Sequence, residues 1–181
     1  MSVPAMSPAE VRQHAAFTAM MWALSYPGRP QRLPASGLAA FALLGETLID
    51  LETGFFTPDA GLAAALARTG GRALPPARAP YQLYPRLDDA GLAQLALAPR
   101  GSHLDPDQSA TLLLGCSFGE GPAVTLMGPG VARAITLRVG GLPAGLWELR
   151  RTAAYPLGWD ILLVDGDQLV GLPRTTAAEV R

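Results

Sequence analysis

Four residues near the C-terminus have types and spacing that could do chemistry. Arg174, Thr175 and Thr176 directly follow an apolar run, and Asp160 opens the apolar run before it. A guanidinium fork with two hydroxyls and backbone donors can hold a phosphate. The same three residues also fit a solvated strand end, or an arginine bridging to a neighbouring subunit. Asp160 stands at the mouth of an apolar strand, where a carboxylate needs a partner. It can pair with an arginine, cap a turn or act as a polar site group, and structural pairing is the first expectation. The segment from Tyr155 to Asp160 has the Pro-x-Gly pattern of a tight turn.

Other chemistries find less support. The chain has no lysine, so all fourteen basic residues are arginines. No amine can form a Schiff base with a carbonyl or with pyridoxal phosphate, and no P-loop lysine can reach a phosphate. Cys116 is the one cysteine, so no intrachain disulfide forms, and its place at the end of an apolar run suits a buried structural thiol. Nucleophilic use would need a histidine such as His103 nearby in space. His14 lies on a helix beside its apolar face, the position of a boundary histidine. One cysteine and two histidines fall short of the four ligands of a structural zinc site, so no metal is expected. The turns Gly119 to Pro122 and Gly128 to Gly130 match neither phosphate-loop pattern. Trp22, Trp147 and Trp159 do not cluster with arginines into a platform for single-stranded nucleic acid and fit core or interface positions.

The elements that must position these residues are legible in outline. Ser7, Pro8 and Glu10 form a capping box with proline at the first helical position. Phe17, Met20, Met21 and Leu24 then define an apolar face, and Pro27-Gly28 ends the helix. A short strand is expected within 29–33, and Ser36 is a candidate cap for a helix to about Leu48. A strand follows within 49–56. Thr57-Pro58 is a candidate cap for a helix to about Arg68. Residues 79–84 are expected as a strand and 88–97 as a short helix, with the most loop-like stretch at 70–80. In the second half, strands are expected at 109–116, 123–127 and 134–139, then a helix from Pro143 to about Ala153. Strands at 160–164 and 168–172 flank Asp165-Gly166-Asp167, a strong hairpin signal.

Helices alternate with strands first and antiparallel strands come later. This predicts an α/β fold with a mixed sheet flanked by helices, in a single domain over residues 1–181. Nearly half the chain is apolar and the net charge is −1, so nothing draws it in bulk to nucleic acid or to an acidic membrane. No apolar run approaches the ~18 residues needed to span a bilayer. The N-terminus lacks the regions of a signal peptide, which makes the cytoplasm the expected compartment.

Taken in order, several segments resemble one family. Pro156 to Val164, the Asp165-Gly166 turn, and Leu172 to Thr176 with Glu179-Val180 resemble the C-terminus of the PhnH family, a component of the bacterial carbon–phosphorus lyase system. Phe17 to Gly28 is similar to its first helix, Leu126 to Val131 to its central turn, and Ser109 to Leu114 to the preceding strand. The stretch between about Asp50 and Pro106 carries little of the resemblance. The resemblance implies a fold related to the large domain of pyridoxal-phosphate-dependent transferases, without that cofactor. It implies a homodimer that associates with PhnG, PhnI and PhnJ. With PhnG, PhnI and PhnL, it implies a share in forming alpha-D-ribose 1-methylphosphonate 5-triphosphate from ATP and a phosphonate, as an accessory or structural subunit of a transferase complex. No catalytic residue comes with it. Two other readings stand beside it. One is an independent cytoplasmic enzyme that binds a nucleotide or phosphonate through Arg174 and Asp160. The other is a stand-alone cytoplasmic enzyme unrelated to phosphonates.

Overall fold

A computed structural model describes residues 6–180. Residues 1–5, the start of the segment read for a leader, lie outside them. In chain order the elements are α1 (Pro8–Ser25), β1 (Gln31–Arg32), α2 (Leu38–Leu48), β2 (Gly54–Phe56), α3 (Ala60–Ala67), β3 (Arg72–Ala73), β4 (Tyr81–Tyr84), α4 (Asp89–Leu95), β5 (Thr111–Gly115), β6 (Ser117–Met127), β7 (Ile135–Gly140), α5 (Gly145–Arg151), β8 (Asp160–Asp165), β9 (Gln168–Leu172) and β10 (Ala177–Val180). Seven strands form one sheet in the order β1-β9-β8-β5-β4-β2-β3. Strands β8, β5, β4, β2 and β3 run parallel, while β9 and β1 pair antiparallel at one edge.

The apolar runs in β5 and β8 follow from burial on both faces, as parallel strands require. Leu113, Leu162 and Val164 face a core shared with α1, α2 and α3. Leu112, Leu114, Ile161 and Leu163 face the opposite core. That second core is closed by α4, α5 and a separate three-stranded sheet, β10-β6-β7. The expected α/β architecture with flanking helices is therefore observed. The late antiparallel strands do not extend the main sheet but form a layer on top of it. Within β6 the pairing with β7 shifts register between Phe118 and Ala123, across the Gly119 to Pro122 stretch where Pro122 has no N–H to give a ladder.

Several local expectations are corrected. Ser7 and Glu10 do form the capping box of α1. The helix buries Ala16, Ala19, Met20 and Ala23, however, and leaves Phe17 and Met21 exposed with Leu24 half-buried. Small side chains win the inner face because α1 lies close on β9: a Cβ on Gly171 would stand 2.4 Å from the Ala23 carbonyl oxygen. Helix α2 starts from Gly37 rather than Ser36, without a side-chain cap. Helix α3 is capped by Asp59, not Thr57, because the Asp59 carboxylate accepts from the Leu62 N–H at 2.7 Å. The 70–80 stretch contributes the two-residue strand β3, and the C-terminal tail pairs as β10 on β6. Among the described residues no helix is long and apolar enough to cross a membrane.

Candidate functional site

The two-residue loop Gly166-Asp167 sets the register of β8 against β9, with Asp165 opposite Gln168 and Ile161 opposite Leu172. Carried one step further, that ladder brings Asp160 beside the segment leaving β9. The Arg174 N–H donates to Asp160 Oδ1 at 2.8 Å, and Arg174 Nη2 donates to Asp160 Oδ2 at 2.7 Å. Arg174 Nε reaches the same carboxylate, and Nη1 donates to the Pro106 carbonyl. The two side chains are mostly buried, 17% and 26% exposed. Asp160 and Arg174 therefore meet as an internal pair, and much of the guanidinium fork is used within the chain.

The two hydroxyls diverge. Thr175 is exposed. Thr176 is 3% exposed, its N–H closes a turn to the Pro173 carbonyl at 2.8 Å, and its Oγ1 has no partner among the described residues. An unpaired buried hydroxyl costs about 1–3 kcal/mol.

The central cation of this region is Arg150, which sequence reasoning missed. It sits in the last turn of α5 and is 9% exposed. Its Nη1 donates to the Trp159 carbonyl at 3.1 Å. Its Nη2 reaches the carbonyls of Leu172, Pro173 and Thr176 at 3.4, 2.6 and 3.0 Å. Burial lowers its pKa to about 10, and the charge of Asp160 partly opposes that shift. No carboxylate lies within 4 Å of it among the described residues. Adjacent Arg150 and Arg151 look alike as a charged helix end. Helical spacing does not separate them, since Arg150 lies four residues after buried Leu146 and Arg151 four after buried Trp147.

The loop between α5 and β8 is clamped from its other side. Arg100 stacks on the Trp159 ring at 4.6 Å and donates to Thr152 Oγ1 at 2.8 Å. Trp159 Nε1 donates to the Pro99 carbonyl at 2.9 Å. A cavity of about 180 Å³ lies here, lined by Arg150, Arg151, Arg174, Thr175 and Thr176 among others. It stands by the amino end of β8, since Leu157 and Gly158, which line it, lead into that strand.

The other end of the sheet has a crevice of about 400 Å³ at the carboxyl ends of β2 and β4. This is a topological switch point: the chain leaves β2 through α3 toward β3 and leaves β4 through α4 toward β5. Open α/β sheets commonly bind ligands there. In this chain Asp59 and Asp88 already cap the two helices that open on the crevice, at 2.7 and 2.8 Å. Carboxylates thus occupy the places where an anionic ligand would be held.

Other singled-out residues fall elsewhere. Cys116 follows the carboxyl end of β5, while His103 precedes its amino end, so the strand separates them. Burial, then the charge of Asp165, pushes the Cys116 thiol up to about 12. His14 is exposed on α1. Gly128 and Gly130 press against the backbone of Thr175 and Ser25, where a Cβ would stand 2.7 and 2.5 Å from carbonyl oxygens. These glycines serve packing. Trp147 and Trp159 are core residues, and Trp22 is exposed on α1. No group of three or more His, Cys, Asp and Glu is placed to hold a metal ion among the described residues.

Comparison with known proteins points to the family that the motifs resemble. A relative from Stutzerimonas stutzeri, provisionally named C-P lyase subunit protein HtxG, is 38% identical over 170 residues, 91% of this chain and 85% of that protein. The alpha-D-ribose 1-methylphosphonate 5-triphosphate synthase subunit PhnH of Rhizobium meliloti (strain 1021) is 36% identical over 93 residues, 49% of this chain and 44% of that protein. The family model described as bacterial phosphonate metabolism protein (PhnH) matches residues 5–179. With nearly its whole length matched, the chain belongs to the PhnH family.

Proposed function

We propose that the protein is a subunit of the carbon–phosphorus lyase assembly of phosphonate catabolism. In that role it contributes to forming alpha-D-ribose 1-methylphosphonate 5-triphosphate from ATP and a phosphonate as an accessory or structural subunit. The observation that carries this reading is the family match over residues 5–179. Its partners in this reading are a second copy of the chain and PhnG, PhnI, PhnJ and PhnL, in the cytoplasm. The reading also relates the mostly parallel sheet to the large domain of pyridoxal-phosphate-dependent transferases. It assigns no such cofactor, because the chain has no lysine to hold one.

The outer face of α1 supports the role of a partner subunit. Between Gln13 and Gly28 the chain carries no Asp, Glu or Arg. Phe17, Met21, Trp22 and Tyr26 are all exposed there, with Trp22 stacked on Tyr26 at 5.4 Å. A helix apolar on both sides belongs in an interior, and an exposed apolar patch of this kind marks an interaction surface. The alternative of an independent enzyme built on Arg174 and Asp160 is less favoured, because the two residues are paired with each other.

The test is co-expression of the tagged chain with its phn-encoded neighbours. The expected result is co-elution of the subunits, sharply reduced by Trp22→Glu while the variant keeps its wild-type circular dichroism. Elution of the wild-type chain alone, while the other subunits assemble without it, would sink the reading. Growth on methylphosphonate as sole phosphorus source, with and without the gene, supplies the functional arm.

A further inference from the structure

Thr176 Oγ1 and Arg150 share an unusual condition. The hydroxyl is buried and has no partner among the described residues, and the guanidinium is buried with carbonyl partners only. Both residues line the cavity of about 180 Å³, together with Arg151 and Arg174. Among the described residues no acidic side chain lines it. Arg150 and Arg174 share a single carboxylate, Asp160, so this buried cluster keeps an uncompensated positive charge that favours an anion beside it. The cavity is too small for a nucleoside but large enough for one compact head group. Arg151 lines the same cavity with a side chain 65% exposed, and its contact with Glu148 is long, at 3.9 Å.

The donors belong to two separate segments, α5 and the turn between β9 and β10. They approach from two sides, which suits a tetrahedral three-oxygen group better than a planar carboxylate. Arg151 and Ala178 also wall a neighbouring cavity of about 420 Å³, lined by Trp147, Pro122, Val180 and, beside Arg151, the exposed carboxylate of Glu148. That chamber is mainly apolar and can take a carbon substituent.

We propose that these adjoining cavities form a binding site for an organophosphorus anion. The PO₃ head sits among Arg150, Arg151 and Thr176, and the organic body lies toward Trp147. The head group could come from a phosphate ester or from a phosphonate. Preference for the phosphonate rests on the assembly reading above, whereas the oxyanion site itself does not.

Calorimetric titration of the full chain with inorganic phosphate, phenylphosphonate, AMP and acetate tests the proposal. Phenylphosphonate or AMP is expected to bind more tightly than phosphate, and acetate more weakly. Arg151→Ala is expected to weaken binding by about tenfold or more, and the near-isosteric Thr176→Val by about threefold or more. Arg32→Ala, which removes an exposed ion pair to Asp167 at the sheet edge, should leave binding unchanged. Binding of phenylphosphonate without AMP marks a phosphonate site, and the reverse a phosphate-ester site. Should Thr176→Val fail to fold, Arg151→Gln and phosphorus-31 line broadening with the wild-type chain carry the test. The proposal is overturned if no phosphorus anion binds at millimolar concentration. It is equally overturned if the Arg151 and Thr176 variants bind like wild type, or if Arg32→Ala weakens binding as much as they do. Loss of the anion site with co-elution intact would remove this proposal and leave the assembly reading standing.

Discussion

At the scale of single residues, the arginines divide by what surrounds them. Arg150 is a pin: its two terminal nitrogens tie α5 to the start of β8 and to the turn between β9 and β10. Arg150→Leu removes the donors from carbonyls that water cannot easily reach. The expected loss is about 3 kcal/mol, read as a lower urea midpoint. The lowered pKa has a defined sign. The unfolded chain keeps this proton to higher pH than the fold does, so the cost of burying the charge is present throughout the neutral range and is relieved only above about pH 10. Titration near neutrality should therefore not change the contribution of Arg150. Cys116 gives a second test at this scale. With its thiol pushed up to about 12, iodoacetamide at pH 8 should alkylate it far more slowly in the folded protein than in denaturant. The thiol is half-buried rather than fully buried as the sequence suggested, and rapid labelling of the native chain would contradict its shielding. The Asp160–Arg174 pair was legible as two candidates, because the Asp-Gly turn fixes which residues lie across the hairpin. That they bind each other depends on side-chain direction, which periodicity does not carry.

At the scale of elements, α1 shows how a correct helix can present the wrong face to one-dimensional reasoning. Its start is written in local chemistry, with Ser7 accepting from the Glu10 N–H and the Glu10 carboxylate accepting from the Ser7 N–H. Ser7→Ala should cost about 1 kcal/mol by thermal melting. The Ser7 backbone and hydroxyl lower the Glu10 pKa, so its contribution is present above the unfolded value and is lost as pH falls through the folded one. The penalty of Glu10→Gln should accordingly shrink in acid. The inner face is decided by Gly171. Gly171→Ala would drive a methyl against the Ala23 carbonyl and force α1 away from β9, with an expected cost of about 1–3 kcal/mol. A melting temperature equal to wild type would show that α1 can shift freely. Asp59 displaced Thr57 as a cap for a simpler reason: either residue type can cap, and the preceding proline does not choose between them.

At the scale of the whole molecule, the outer face of α1, without Asp, Glu or Arg from Gln13 to Gly28 and with Arg29 over the Tyr26 ring at its end, makes a specific prediction about association. Contacts made through Phe17, Met21, Trp22 and Tyr26 are apolar, so assembly through this face should persist or strengthen at high salt. Sedimentation of the co-expressed complex across a salt series checks this, and dissociation at high salt would point to a charged surface instead. The sequence by itself determined the α/β order of elements, the β8–β9 hairpin, the capped first helix and the absence of any lysine chemistry. Its ordered motifs also carried the resemblance to PhnH, because each depends on residues close together in the chain. Only the tertiary structure decided that β6, β7 and β10 leave the main sheet and cover its second face. It also decided that α1 turns Ala16, Ala19 and Ala23 inward beside Met20, that Arg150 rather than Arg151 is buried, and that Thr176 Oγ1 has no partner among the described residues. These outcomes depend on close approach between segments distant in sequence, where one missing Cβ or one carbonyl direction selects the packing.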